Sequence, residues 1–167
     1  MAVVTVKSAA ITNRDAVPSV INSRSGGGGD IKHARGEAVI TSGDSIASKY
    51  LVCSIPSNAV PISVRLSAPD IGTTTVADIG LYKSTQNGGA VVDADFFGSA
   101  VVLNAGALSK VEQIFESGVI TIANAMKRIW EHLALSADPN LTYDVVLTLT
   151  GAADATGTVM VEIDYTI

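Results

Sequence analysis

Apolar and polar residues alternate with a period of two along several stretches of this chain, and that pattern restricts it to a β fold. A period of two places successive side chains on opposite faces of a strand. The clearest run spans residues 158–167, where one predicted face carries Val159, Val161, Ile163, Tyr165 and Ile167. Similar runs cover 50–55, 60–66, 77–82 and 143–150, and weaker strand candidates lie at 37–41, 100–103 and 119–122.

Short connectors with turn residues separate these runs. Asn87-Gly88-Gly89 tolerates positive φ angles, and residues 151–157 suit a hairpin loop between the last two strands. About eight short strands with such turns predict an all-β fold, an antiparallel β-sandwich of two sheets. A jelly roll is the favoured strand order, and an immunoglobulin-like order is the alternative.

Two segments depart from the strand pattern. Met126, Ile129, Trp130 and Leu133 follow helical spacing, which predicts one short helix near 124–135 that Asn124 would cap. A single helical turn is also predicted at residues 93–97.

Charge divides the chain near residue 36. Residues 1–36 have a net charge of +3 and include the glycine run 26–29, whereas residues 37–167 have a net charge of −8. Four consecutive glycines favour a linker over a helix or strand. We therefore expect an extended N-terminal arm with a glycine-rich linker at 1–36, followed by a β-sandwich (jelly-roll) domain at 37–167.

Composition narrows the function classes. A hydrophobic share of 47% excludes a disordered chain. The net charge of −5 and the aromatic share of 5% count against nucleic-acid binding. A single cysteine allows no intrachain disulfide. The N-terminal residues do not resemble a secretory signal, and no apolar run is long enough for a membrane span, so a soluble protein without a membrane partner is expected.

The side chains that usually carry chemistry are scattered. His33 and His132 have no ligand spacing around them, and Cys53 lies on a predicted apolar strand, where it is expected to be buried. Asp93 and Asp95 are too few for a calcium site. No catalytic residue, metal site or cofactor is predicted, and we expect the protein not to be an enzyme.

Several motifs, in this order, resemble those of tailed-bacteriophage capsid decoration (cement) proteins. They are Thr5-Val6-Lys7-Ser8-Ala9-Ala10-Ile11-Thr12-Asn13-Arg14-Asp15, Ile55-Pro56-Ser57-Asn58-Ala59, Ala77-Asp78-Ile79-Gly80-Leu81-Tyr82, residues 88–97, residues 129–139 and Tyr143-Asp144. One departure is Ala134, where the family is expected to have glycine.

The resemblance implies a jelly-roll domain on the outer surface of a phage head, made in the host cytoplasm. It would bind the major capsid protein, bridge neighbouring subunits and form a homo-oligomer, with a dimer favoured over a trimer. The family implies no catalytic residues.

The positive arm supplies candidate contacts to the capsid or to other subunits, because a basic segment is attracted to acidic surface. These candidates are Lys7, Arg14, Arg24, Lys32 and Arg35. The alternative function is a receptor- or glycan-binding β-sandwich module on a virion surface. It would use Tyr82 or the Asp93/Asp95 pair at a loop tip.

Overall fold

The computed structural model describes residues 6–22 and 29–167. Within these ranges the helices are α1 Ala9–Asp15 and α2 Ile129–His132, and a one-turn 3-10 helix spans Thr85–Asn87. The strands are β1 Lys32–Ile40, β2 Lys49–Pro56, β3 Val60–Ala68, β4 Val76–Lys83, β5 Val91–Val102, β6 Leu108–Glu112, β7 Thr142–Leu149 and β8 Gly157–Thr166. Among the described residues, neither helix has the length and apolar character that a membrane crossing requires.

The strands form two four-stranded antiparallel sheets. The first sheet has the order β1-β8-β3-β6 and the second has the order β2-β7-β4-β5. The predicted all-β antiparallel sandwich is therefore confirmed. The chain passes to the opposite sheet at every connection except β4–β5. In an immunoglobulin-like sandwich the first two strands share a sheet, whereas here β1 and β2 lie in different sheets.

The core lies between the two sheets and is built from the apolar sides of their strands. Phe96 and Phe97 are its largest fully buried residues and meet edge to face, with ring centroids 4.8 Å apart. Around them pack fully buried aliphatic side chains from both sheets, including Ile55, Val64, Leu66, Ile79, Leu81, Val145, Leu147, Val159, Val161 and Ile163. This apolar burial is the main force that holds the sheets together.

Alternation predicts the buried face correctly where a strand is regular and incorrectly where it is bulged. In β4, β7 and most of β8 the predicted inward residues are buried. In β3, a bulge between Pro61 and Ser63 leaves Ile62 45% exposed. In β2, a bulge between Leu51 and Cys53 leaves Leu51 55% exposed. An extra residue in one strand moves the residues beyond it to the opposite face of the sheet.

The helix predicted near 124–135 is present but is only one turn long, α2. Asn124 does not cap it: its carboxamide oxygen accepts a hydrogen bond from the Thr121 N–H at 2.6 Å, which closes the preceding turn. After α2, Ala134 adopts a φ of 53°. An L-residue in the left-handed region cannot continue a helix, so the element ends there.

The helical turn predicted at residues 93–97 and the strand candidate at 119–122 are both wrong. Residues 93–97 belong to β5, and residues 119–122 form turns and bends. In β5, four residues bulge between the partners of Ile79 and Leu81. Gly80 permits this bulge, because a Cβ there would lie 2.2 Å from the Ala94 carbonyl oxygen.

The N-terminal region is only partly described. α1 lies within the predicted arm, so that part is helical and not extended. β1 begins at Lys32, which places residues 32–36 of the predicted arm in the first strand of the sandwich. Residues 26–28 of the glycine run lie outside the described residues.

Candidate functional site

The predicted contact residues that the structure describes lie in two separate segments of the chain. Lys7 and Arg14 lie in the segment 6–22, Lys32 and Arg35 lie on β1, and Arg24 falls outside the described residues.

Asp15 pairs with both basic residues of the N-terminal segment. Its carboxylate lies 2.8 Å from Arg14 Nε and 2.9 Å from Lys7 Nζ. Hydrogen bonds from Arg14 and then Lys7 hold the pKa of Asp15 below its ordinary value. The segment is therefore less positive than its count of basic residues predicts.

The segment 6–22 exposes apolar side chains. Ser8 Oγ caps α1 by accepting the Ile11 N–H, and Asn13 donates to Asn22 at 2.9 Å. No residue of this described segment is buried, and Val17 and Ile21 are 98% and 95% exposed. Exposed aliphatic residues at this density suit contact with another surface.

The outer face of the first sheet, here called the charged face, carries charged side chains from all four strands. Its charged residues are His33, Arg35 and Glu37 of β1, Glu162 and Asp164 of β8, Arg65 of β3, and Lys110 and Glu112 of β6. Cross-strand pairing brings these residues together from distant parts of the sequence.

Asp164 and Glu162 are the centre of the charged face. Asp164 lies 2.7 Å from His33 Nδ1 and 2.8 Å from Arg65 on the neighbouring strands. Hydrogen bonding from His33, followed by Arg65, holds the pKa of Asp164 below its ordinary value. Glu162 has a side chain only 6% exposed, and its carboxylate lies 3.3 Å from Lys110 Nζ. These pairs leave the face nearly neutral although it is densely charged.

Glu112 is fixed at the end of β6. Its Oε2 accepts the Ser63 hydroxyl at 2.6 Å, and its Oε1 accepts the Val64 and Ile114 N–H groups at 2.7 and 3.0 Å. Backbone donors hold a carboxylate in one geometry. The negative charge at this edge of the sheet is therefore rigidly placed.

Two grooves border the second sheet. The loop between β4 and β5, which contains Thr85–Asn87, borders a polar groove of about 550 Å³ whose walls include Ser54, Asn140 and Asp144. An apolar groove of about 350 Å³ lies between Lys83, Val92, Leu133, Leu135, Pro139, Leu141 and Tyr143.

The features suggested for a glycan-binding tip have other surroundings. Tyr82 is only 6% exposed, and its hydroxyl lies 3.1 Å from Thr148 Oγ1. Asp93 has a raised pKa, first from burial and then from its hydrogen bond with Asp95. In the described part of the chain, no cluster of three or more histidine, cysteine or acidic residues could hold a metal.

Cys53 and His132 are shielded within the fold. Burial raises the pKa of the Cys53 thiol to about 12, which disfavours the reactive thiolate. Burial also lowers the pKa of His132, whose ring meets Phe96 edge to face at 5.9 Å. Both side chains therefore contribute to packing within the fold.

The charged face is the feature that sequence reasoning missed. Its local signals were the polar side of the last strand, with Glu162 and Asp164, and the alternation of His33, Arg35 and Glu37 with small residues. The neighbours Arg65 and Glu112 are far away in the sequence, and strand pairing alone places them beside β8.

Comparison with solved structures identifies two similar chains, both from phage capsids. A chain of the cyanophage Pam1 capsid asymmetric unit matches with a TM-score of 0.51 and 19% identity, covering 83% of this chain and 86% of that chain. A chain of the Ralstonia phage GP4 capsid matches with a TM-score of 0.56 and 18% identity, covering 83% and 84%. No family model and no curated protein matches the sequence. At these identities the chain shares its fold with proteins found in phage capsids.

Proposed function

We propose that this chain is a structural virion protein of a tailed phage. It binds the outside of the head as a decoration protein, bridges major capsid protein subunits and stabilises the shell. The observation that carries the proposal is the fold match to chains of two phage capsids, because it spans more than four fifths of every chain compared.

The surface supports an adhesive role. A capsid-binding layer uses many copies, so that modest contacts of each copy add up through avidity. The chain offers exposed apolar residues on the segment 6–22 and a broad charged face on the sandwich. We infer that the sandwich is a jelly roll, that it forms a homo-oligomer, and that it needs no cofactor for this work.

The N-terminal arm is proposed to contact the capsid or a neighbouring subunit. Val17 and Ile21 would lose their solvent exposure in such a contact, which favours association through the hydrophobic effect. Lys7, Arg14, Arg24, Lys32 and Arg35 remain candidate contacts, and of these Arg35 also belongs to the charged face.

The test is binding to undecorated heads of the phage that encodes this chain. The purified full-length chain is mixed with such heads, and bound copies are counted after sedimentation. We expect saturable binding and an increase in the temperature at which the heads release DNA. Full-length chain that stays in the supernatant at every concentration would overturn the proposal.

A truncated variant tests the arm. It should begin at Lys32, because β1 begins there and a later start would remove residues of the first strand. Its thermal unfolding, compared with that of the full chain, checks that the sandwich is intact. We expect lower occupancy on heads, and unchanged occupancy would remove the arm from the mechanism.

A further inference from the structure

One row of the charged face alternates in sign across the whole first sheet. Strand register places Arg35 beside Glu162, Glu162 beside Arg65, and Arg65 beside Glu112. The order from β1 to β6 is therefore positive, negative, positive, negative. When a second copy of this row is reversed by a half-turn and laid against the first, every positive residue lies opposite a negative one.

A neighbouring row follows the same rule at its two ends. Glu37 on β1 pairs with Met160 of β8, and Met160 pairs with Ser67 of β3. On β6, the Lys110 N–H donates to Ser67 Oγ at 3.0 Å, which places Lys110 at the same level. The row begins with a negative residue and ends with a positive one.

We infer that the charged face is the interface between two copies of this chain, related by a two-fold axis parallel to the strands. Such an axis places each strand opposite its mirror position in the sheet order, β1 opposite β6 and β8 opposite β3. Arg35 then faces Glu112 of the second copy and Glu37 faces Lys110, whereas Glu162, whose side chain is only 6% exposed, lies opposite Arg65 without reaching it. A two-fold interface repeats each of these pairs.

The other two-fold axis in the plane of the sheet is disfavoured when it lies level with this row. An axis perpendicular to the strands at that level would place each strand opposite itself, so that Arg35 faces Arg35 and Glu162 faces Glu162. Like charges brought together are strongly unfavourable at an interface. A perpendicular axis midway between the two rows would instead pair Glu37 with Arg35 and Lys110 with Glu112, and the mixing experiment below separates that arrangement, because mixing the two variants would not restore those pairs.

The size of the charged face suits a weak dimer. Four strands span about 19 Å, and the strand lengths give roughly 500–600 Å² per copy. Twice that area is near the lower limit of specific protein interfaces. Because most of the contacts are between charged groups, the association should weaken as salt rises.

This inference specifies the self-association proposed above, and it can be tested without phage heads. The single variants Glu37→Lys and Lys110→Glu each create two like-charge contacts in a homodimer. A mixture of the two variants forms heterodimers in which both contacts again join opposite charges. Sedimentation velocity over a micromolar concentration series measures all three samples.

We expect each single variant to raise the dimer dissociation constant at least about tenfold, and the mixture to restore most of the affinity. Mixing cannot repair a change within one molecule, such as the loss of the Lys110–Glu162 pair. Lys83→Glu, an exposed substitution on the second sheet, is the matched control and should leave dimerisation unchanged.

Two results would overturn the inference. Wild-type chain that is monomeric throughout the series would remove self-association in solution. Dimers that are insensitive to both single variants, or variants that do not recover on mixing, would place the interface elsewhere. Neither result bears on head binding, so failure of the virion role is detected separately by the sedimentation assay with heads.

Discussion

Ser57 connects three parts of the chain, and we predict that Ser57→Ala lowers the free energy of unfolding by about 2–4 kcal/mol. Ser57 is 1% exposed and lies between β2 and β3. Its hydroxyl donates to the Asp138 carboxylate and accepts the Leu141 N–H at 3.1 Å. Its backbone carbonyl accepts the Trp130 N–H at 3.1 Å, which attaches α2.

The magnitude follows from the two side-chain bonds that alanine removes. A hydrogen bond to a charged group contributes about 1.5–3 kcal/mol, and a backbone N–H left without a partner costs about 1–3 kcal/mol. Asp138 is exposed and Leu141 is only half-buried, so water reaches both bonds and reduces the sum. For a chain of this length, 2–4 kcal/mol corresponds to a decrease in Tm of about 4–16 °C.

Urea unfolding followed by circular dichroism measures the change. Ser54→Ala is the matched control, because Ser54 is an exposed serine on β2, the strand that ends just before Ser57. Asp138→Asn should retain much of the stability, because the amide oxygen still accepts the Ser57 hydroxyl. A loss below about 1 kcal/mol for Ser57→Ala, or a loss equal to that of the control, would refute the reasoning.

The hydrogen bond between Ser57 and Asp138 also makes the effect of Ser57→Ala on stability depend on pH. The Ser57 hydroxyl, followed by the Asn140 N–H, holds the pKa of Asp138 below its ordinary value of 3.8. A lowered folded-state pKa stabilises the fold above pH 3.8, and that contribution is lost as the pH falls through the folded-state value. The difference in the free energy of unfolding between wild type and Ser57→Ala should therefore become smaller as the pH falls.

Three further substitutions test other parts of the fold by thermal unfolding. Gly36→Ala should cost about 1–3 kcal/mol or more, because a Cβ there would lie 1.5 Å from the Val52 carbonyl oxygen; a neutral result would contradict this close approach. Ala134→Gly should stabilise by about 0.5–1 kcal/mol, since a φ of 53° suits glycine, and any loss of stability would contradict that conformation. Burial and the hydrogen bond to Asp44 raise the pKa of Tyr50 from 10.0 to about 12, so stability present below pH 10 should be lost towards pH 12. Tyr50→Phe should remove that part of the alkaline pH dependence, and an unchanged alkaline profile would show that another group titrates there.

The strands and the sandwich were largely predictable because their signal is local. In β7, Tyr143, Val145, Leu147 and Leu149 alternate with more polar residues, and all four are buried. Burying one side of a strand requires only this alternation, and the alternation can be recognised within a short stretch of sequence.

The errors have a common cause in tertiary packing. Ile62 belongs to an alternating run but is turned outwards by a bulge, and residues 93–97 form a bulged strand where a helical turn was predicted. Whether a strand bulges depends on its partner strand and on the space around it. The sequence alone does not show why residue 80 is glycine, because the need for glycine arises only where the β5 bulge packs against it.

The sequence by itself therefore determined which residues are apolar, where the chain turns and that two sheets pack face to face. Only the tertiary structure decided which charges are neighbours. Arg35, Arg65, Glu112 and Glu162 form one alternating row because four distant strands pair in one register. Periodicity is a property of neighbouring residues, whereas register is set by long-range pairing across the sheet.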